Sequence, residues 1–252
     1  AETATAQGKD ANGETGARTG ANTARLVAAL LPVRFAVFAM LGMVLWLQPT
    51  AQAQIVADPT APNNQRPTVL AAPNGVPVVN IQTPSAAGVS RNTYSQFDVN
   101  SNGAILNNSR TNAQTQLGGW VQGNPWLAAG SARIILNEVN SSNPSQLRGY
   151  IEVAGQRAEV IIANPAGVNV DGAGFINASR ATITTGAPVV NGGNLEGYRV
   201  QRGTVTINGK GLDATLTDYT GILARAVQVN AGVWAKDLKV ATGVNDISAD
   251  QN

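Results

Sequence analysis

The sequence predicts an all-β chain wound into a β-solenoid, and three observations carry that reading. The composition is polar but uncharged and rich in turn formers: charged residues are 13% of the chain, against about a quarter in ordinary domains, and glycine numbers 27 in 252 residues. Apolar and polar residues alternate at period two in short β-branched runs, with no helical spacing in the mature part. The C-terminal part also repeats itself. VTINGKGLDATLTDYTGILARA (residues 205–226) stands above VQVNAGVWAKDLKVATGVNDIS (residues 227–248) at a period of 22. Self-similarity at roughly 20–50 residues marks stacked coils.

Taken in order, the first element is a leader. Arg18, Arg25 and Arg34 precede an apolar run of 13 residues, 35–47. A signal-peptide core needs about 7–15 residues and a bilayer span about 20. Pro49 and the small-x-small triplet Ala51-Gln52-Ala53 follow, which places cleavage before Gln54. The expectation is an extended signal peptide over residues 1–53 and a mature domain over 54–252. A buried helix is the competing reading.

Residues 54–88 are proline-rich, with Pro59, Pro62, Pro67, Pro73, Pro77 and Pro84. Proline cannot donate to a sheet ladder, so this stretch predicts an N-terminal cover rather than central strands. Within it GVPVVNI (75–81) suits an edge strand with Pro77 facing away from any partner. Residues 118–130, GGWVQGNPWLAAG, form an irregular block with two of the four tryptophans and the turn Asn124-Pro125-Trp126-Leu127. Further on, Asn164-Pro165-Ala166-Gly167 reads as a corner, Pro165 presetting φ and Gly167 accepting a backbone that a β-carbon resists. Val168-Asn169-Val170 then makes one short face with both valines on one side, and Asp171-Gly172 turns the chain again. Residues 186–203 break the pattern and predict a hairpin around Asn191-Gly192-Gly193.

The repeat itself predicts stacked pairs. Val205 lies opposite Val227, Ile207 opposite Val229, Asn208 opposite Asn230, Leu212 opposite Trp234, Leu216 opposite Leu238, Gly221 opposite Gly243 and Ile222 opposite Val244. Upstream, Ile183 and Thr185 fall in the slots of Val205 and Ile207, and Val160 and Ile162 show the same alternation. Twenty-two residues at about 3.3 Å give a contour on the order of 70 Å, one coil of a three-sided tube. Asn208 over Asn230 then forms an amide ladder at a corner.

The chemistry classes are mostly excluded. There is no cysteine and no histidine, so no disulfide, no thiolate or imidazole metal site and no histidine general base exist. No catalytic residue, metal site or cofactor is expected. Beyond residue 53 there are 13 basic and 12 acidic residues without a basic cluster, which argues against a nucleic-acid partner. Gly209-Lys210-Gly211-Leu212-Asp213-Ala214 matches a dinucleotide fingerprint, but β and turn residues follow where a helix is required. Asp171, Asp213, Asp218 and Asp237 read as solvated corner residues rather than the paired carboxylates of a glycosidase. Trp120, Trp126 and Trp234 suggest a sugar-stacking platform, although Trp234, in the slot of Leu212, reads as core, and for Trp126 core and partner contact weigh equally.

With these blocks in view, the mature chain resembles the secretion domain of two-partner secretion exoproteins, the filamentous haemagglutinins, haemolysins and CdiA-type contact-dependent inhibition proteins. The family's Asn-Pro-Asn-Leu motif stands here as Asn124-Pro125-Trp126-Leu127. Its Asn-Pro-Asn-Gly motif stands as Asn164-Pro165-Ala166-Gly167, so both lose the third asparagine. ILNEVNSSNPSQLRGYIEVAG, GFINASRATITTG and YTGILARAVQVNAGVWAKDLKVATG are similar to family blocks. Where CdiA-like relatives often carry a cysteine pair, this chain has Val170 and Ala173.

The resemblance implies a right-handed, single-stranded parallel β-helix with an N-terminal cap and extra-helical β-hairpins. It implies a secretion-targeting and folding-nucleation domain, monomeric and not an enzyme. The partner implied is the set of POTRA domains of a TpsB/CdiB-type outer-membrane transporter, reached through the periplasm, with Asn124–Leu127 and Asn164–Gly167 as the candidate recognition residues. The parent is either a toxin carrier or an adhesin. Direct binding of host glycans by the tube wall is the alternative function, and a polysaccharide-active enzyme a third.

Overall fold

The computed structural model describes residues 54–250. The leader and its cleavage point at Ala53-Gln54 lie outside the described residues. Gln54 onward opens with three cap strands: β1 (Ile55–Ala57), β2 (Thr68–Ala71) and β3 (Pro77–Asn80). The first coil follows as β4 (Val89–Phe97) and β5 (Ala104–Asn108). A small hairpin, β6 (Ala113–Thr115) and β7 (Gly119–Val121), then leaves the tube. The second coil is β8 (Ile134–Val139), β9 (Ser145–Leu147) and β10 (Tyr150–Gly155). The third is β11 (Ala158–Ala163), β12 (Val168–Val170) and β13 (Ala173–Ile176).

The fourth coil begins with β14 (Ala178–Thr184), is interrupted by a hairpin of β15 (Ala187–Asn191) and β16 (Asn194–Val200), and resumes as β17 (Thr204–Ile207) and β18 (Leu212–Ala214). The fifth is β19 (Tyr219–Ala224), β20 (Ala226–Val229) and β21 (Val233–Ala235). β22 (Leu238–Thr242) starts another turn, and β23 (Asn245–Ser248) leaves it.

These strands stack into three parallel faces, the expected three-sided β-helix. The first face runs β4-β8-β11-β14-β19-β22, the second β9-β12-β17-β20 and the third β3-β5-β10-β13-β18-β21. Valines, isoleucines and leucines of all three faces meet inside, among them Val153, Ile162, Val168, Phe175, Val205 and Ile207, all buried. Val168 and Val170 share one side, as the sequence predicts, and point inward with Asn169 half-exposed.

The cap differs from the expectation in one respect. The segment containing Pro77 is not an edge: β3 lies between β2, its antiparallel partner, and β5, its parallel one. Pro77 is tolerated because it is the first residue of the strand, where the ladder to β5 has not begun. The edge strand is β2. β1 closes the first face in the same way, antiparallel to β4. Asp58 fixes this cap. Its carboxylate accepts from the Thr60 hydroxyl at 2.7 Å, from the Thr60 N–H at 2.8 Å and from Asn140 of the second coil at 3.3 Å. The Thr60 bonds hold its carboxyl below the usual 3.8. The stabilisation is therefore complete above that value and lost as pH falls through the lowered one. Acid melts should show Tm dropping below about pH 4, and Asp58→Asn should flatten that drop.

The register confirms part of the repeat and corrects the rest. Val205 pairs with Val227 and Ile207 with Val229, and Asn230 donates to Asn208 at 2.8 Å, the expected amide ladder. Beyond that corner the period shortens. Leu212 pairs with Val233, not Trp234, which lies opposite Asp213. Thr220 pairs with Leu238 and Ile222 with Val240, so the pairings Leu216–Leu238, Gly221–Gly243 and Ile222–Val244 do not form. Upstream, the slots of Val205 and Ile207 belong to Val168 and Val170, whereas Ile183 pairs with Ile222 on the first face. The cause is corner length at two corners, the offset falling from 22 to 21 before β21 and to 18 before β22. Four residues separate β17 from β18 but three separate β20 from β21. Losing one residue reverses side-chain parity, so Trp234 faces outward and is 53% exposed rather than core.

Both irregular blocks are extra-helical. β15 and β16 form the expected antiparallel hairpin, closed by Asn191 opposite Asn194. Gly192 (φ +56°) and Gly193 (φ +80°) supply the two positive φ values that such a two-residue turn demands. β23 adds to β16. Leu195, Tyr198, Val200 and Ile247 of this small sheet cover Val89, Ile134, Leu136, Ile161 and Leu223 on the outside of the first face. That second cover explains why β8 and β11 are apolar on both sides. The β6–β7 hairpin covers the third face in the same manner, Val121 packing near Ile105 and Ala154. Its anchor is the buried Glu152, whose carboxylate accepts from the N–H groups of Gln116 (2.7 Å) and Leu117 (2.8 Å).

Candidate functional site

The two asparagine–proline motifs fold the same way. In Asn124-Pro125-Trp126-Leu127 the asparagine precedes a single 3-10 turn, Pro125–Leu127. Asn124 Oδ1 accepts from the Trp126 N–H at 3.0 Å, and its Nδ2 donates to the carbonyls of Ile81 (2.8 Å) and Asn107 (2.9 Å). Leu127 is buried in the tube. In Asn164-Pro165-Ala166-Gly167, Asn164 Oδ1 accepts from the Ala166 N–H at 2.9 Å. Its Nδ2 donates to the Asn143 carbonyl and the Ser145 hydroxyl, both at 3.0 Å. Gly167 returns its N–H to the Asn164 carbonyl at 3.0 Å with φ +128°.

In each motif the asparagine is a buried clamp. One side-chain oxygen closes the turn, and one amide ties the turn to neighbouring strands. Proline in second place suits the turn because its fixed φ is already the one required. Asn124 and Asn164 are buried, Pro125 and Trp126 exposed, Pro165 and Ala166 half-buried. In the folded chain, then, only the proline and the residue after it are open to a partner. The motifs sit on different coils, and among the described residues no hydrogen bond or strand pairing joins them. The tryptophans also separate. Trp120 and Trp126 line one groove on the third face, while Trp234 lies beside Tyr150, Lys210 and Asp213.

The acidic corners are committed to local work. Asp171 accepts from the Lys210 N–H, Asp218 pairs with Arg157, and Asp213 accepts from the Thr215 hydroxyl and from Tyr150. The Thr215 bond, then the Tyr150 bond, lower the Asp213 carboxyl. Residues 209–211 form the corner before β18, so no helix follows the glycines.

A family model for the TPS secretion domain matches residues 53–252. The chain belongs to the TPS secretion domain family. It is 57% identical over 225 residues to the "Toxin CdiA" of Yersinia pestis, covering 89% of this chain and 7% of that protein. It is 48% identical over 222 residues to the "tRNA nuclease CdiA-2" of Burkholderia pseudomallei (strain 1026b), covering 87% and 7%. Among solved structures it resembles the filamentous hemagglutinin secretion domain with a TM-score of 0.68 and 40% identity, over 77% of this chain and 65% of that one. The chain thus spans about 7% of the length of these curated relatives. The TPS secretion domain is a targeting domain of exoproteins of the CdiA and filamentous hemagglutinin type.

The sequence did not reveal what surrounds the TPS domain's first motif. Asn80, Asn107 and Thr68, all within reach of the NPWL turn, carry no local signature. Only the topology, which brings the cap against the 3-10 turn, places them there.

Proposed function

We propose that this chain is the export address and folding template of a longer two-partner-secreted exoprotein. Residues 1–53 act as a signal removed near Ala53-Gln54. The mature part reaches the periplasm extended, and a chain without cysteine acquires no crosslinks there. POTRA domains of a TpsB/CdiB-type transporter bind it in that state, and β-strand addition suits the task because main-chain bonds tolerate varied side chains. Outside the cell the cap seals the first coil and later coils stack on it. Each added coil contributes its own interface, which opposes back-sliding.

The observation that carries this reading is the sealed start of the β-helix. At one end the first face is closed by the antiparallel β1 and the third by the antiparallel β2. Each later coil then pairs in parallel with the one before it, from β4–β8 to β19–β22. A column of this kind grows in one direction, from the cap.

Co-expression with its transporter tests the proposal. The chain should appear in the medium with the complete transporter and stay in the periplasm with a transporter lacking its POTRA domains. Appearance in the medium without any transporter, or retention in the periplasm with the complete one, would refute it.

A further inference from the structure

Apart from Leu216, the large apolar side chains exposed among the described residues fall into two groups. Val229, Trp234, Leu238, Val240 and Val244 lie in or beside β20–β22. Leu70, Trp120 and Trp126 do not: they surround a groove on the outside of the third face. We propose that this groove is a binding site for neutral oligosaccharides, an activity separate from secretion targeting.

The groove has a volume of about 850 Å³, within the range of small-molecule sites, about 300–1,000 Å³. Its floor is Thr68 and Leu70 of β2, Val78 and Asn80 of β3, and Asn107 of β5; its walls include Trp120 and Trp126. Trp120 is 69% exposed and Trp126 44%. Trp126 is held in place: its indole N–H donates to the Thr68 hydroxyl at 3.2 Å, and its carbonyl accepts from the Thr83 hydroxyl at 2.7 Å. No charged residue lines the groove, so an uncharged ligand is complementary to it and a uronate or sialylated chain is not.

A second observation points to a ligand with acceptor oxygens. The Ser109 N–H donates to Asn107 Oδ1, which fixes that amide's orientation. Asn107 Nδ2 then spends both protons, on the Asn80 Oδ1 and on the Gln122 carbonyl, each at 2.8 Å. The relay ends at Asn80 Nδ2, a donor with no hydrogen-bond partner among the described residues, on a side chain only 7% exposed in the groove floor. That amide opens to the groove, where a hydroxyl or ring oxygen can accept from it in place of water. Indole faces carry negative charge density and attract the polarised C–H faces of a pyranose ring. β3 offers a peptide no free edge, because it pairs with β2 on one side and β5 on the other; β2 is the edge strand, and the peptide comparator below tests it.

The test is calorimetric titration of the purified chain with chitohexaose, cellohexaose and maltohexaose, with polygalacturonate oligomers and a proline-rich uncharged peptide as comparators, followed also by tryptophan fluorescence. At least one neutral hexasaccharide should bind with Kd between about 10 μM and 1 mM. Trp120→Ala should weaken it about tenfold or more. Asn80→Asp, which keeps the oxygen that accepts from Asn107 and removes the free donor, should also weaken it about tenfold. Both should keep the wild-type melting curve, and Trp234→Ala should bind as the wild type does. No binding of any neutral hexasaccharide at about 10 mM, binding that survives Trp120→Ala, or binding of the peptide in place of the sugars would each overturn the assignment.

Discussion

Asn164→Ala should destabilise the folded domain by about 2–4 kcal/mol, because it removes a fully buried amide and breaks its three hydrogen bonds at once. The Ala166 N–H loses the acceptor that closes the turn, and the Asn143 carbonyl and Ser145 hydroxyl lose their donor. For a domain of this size the drop in Tm is roughly 5–15 °C. Asn124→Ala follows the same logic, with the Ile81 and Asn107 carbonyls left unpaired. Pro165→Ala removes no hydrogen bond and loosens only the unfolded chain, a cost under about 1 kcal/mol. Thermal melts and export assays on the same variants separate the two roles of the motif. If the turn serves the fold, export declines in step with Tm and Pro165→Ala keeps both. Lost export at an unchanged Tm would assign the asparagine to recognition instead.

How much of this was legible in advance depends on which interactions are local. Val205 over Val227 was readable because both residues face inward and the corners between them add up to one full period. Trp234 was misplaced because one missing corner residue reverses parity, and only the ladder records that. The Asn-Pro turns were visible as turns, since proline and glycine act on their own backbone. The clamp was not, because Asn164 Nδ2 reaches the previous coil, 21 residues back in the sequence. The β15–β16 hairpin announced itself through Gly192-Gly193. The β6–β7 hairpin did not, because its strands have three residues each and it depends on a carboxylate at Glu152, 36 residues beyond Gln116. The groove lay further still from the sequence: Trp120 and Trp126 are neighbours in the chain, but the Asn80 donor joins them only after the cap has folded.

Phe175→Ala should cost about 3–5 kcal/mol, the full price of emptying a fully buried aromatic site. Phe175 lies in β13 of the third coil, beside Ile151 in the ladder and inside the tube. In a simple solenoid each coil touches only its neighbours, so damage at the middle would let the coils beyond it melt first. The β15–β16 hairpin argues against that here. Its apolar residues lie across the first face on Val89 of the first coil, Ile134 of the second, Ile161 of the third and Leu223 of the fifth. Its tip accepts a hydrogen bond at the Gly193 carbonyl from Ser85, beside the cap, at 2.6 Å. A strap of this kind couples non-adjacent coils. Phe175→Ala should therefore lower Tm in one transition, with amide protection falling together in β4, β11 and β19. Adding Leu195→Ser and Tyr198→Ser to loosen the strap should split that transition in two. A two-step melt in Phe175→Ala alone, with β4 and β8 outlasting β17–β22, would show that the coils stand independently and that the hairpin only covers them.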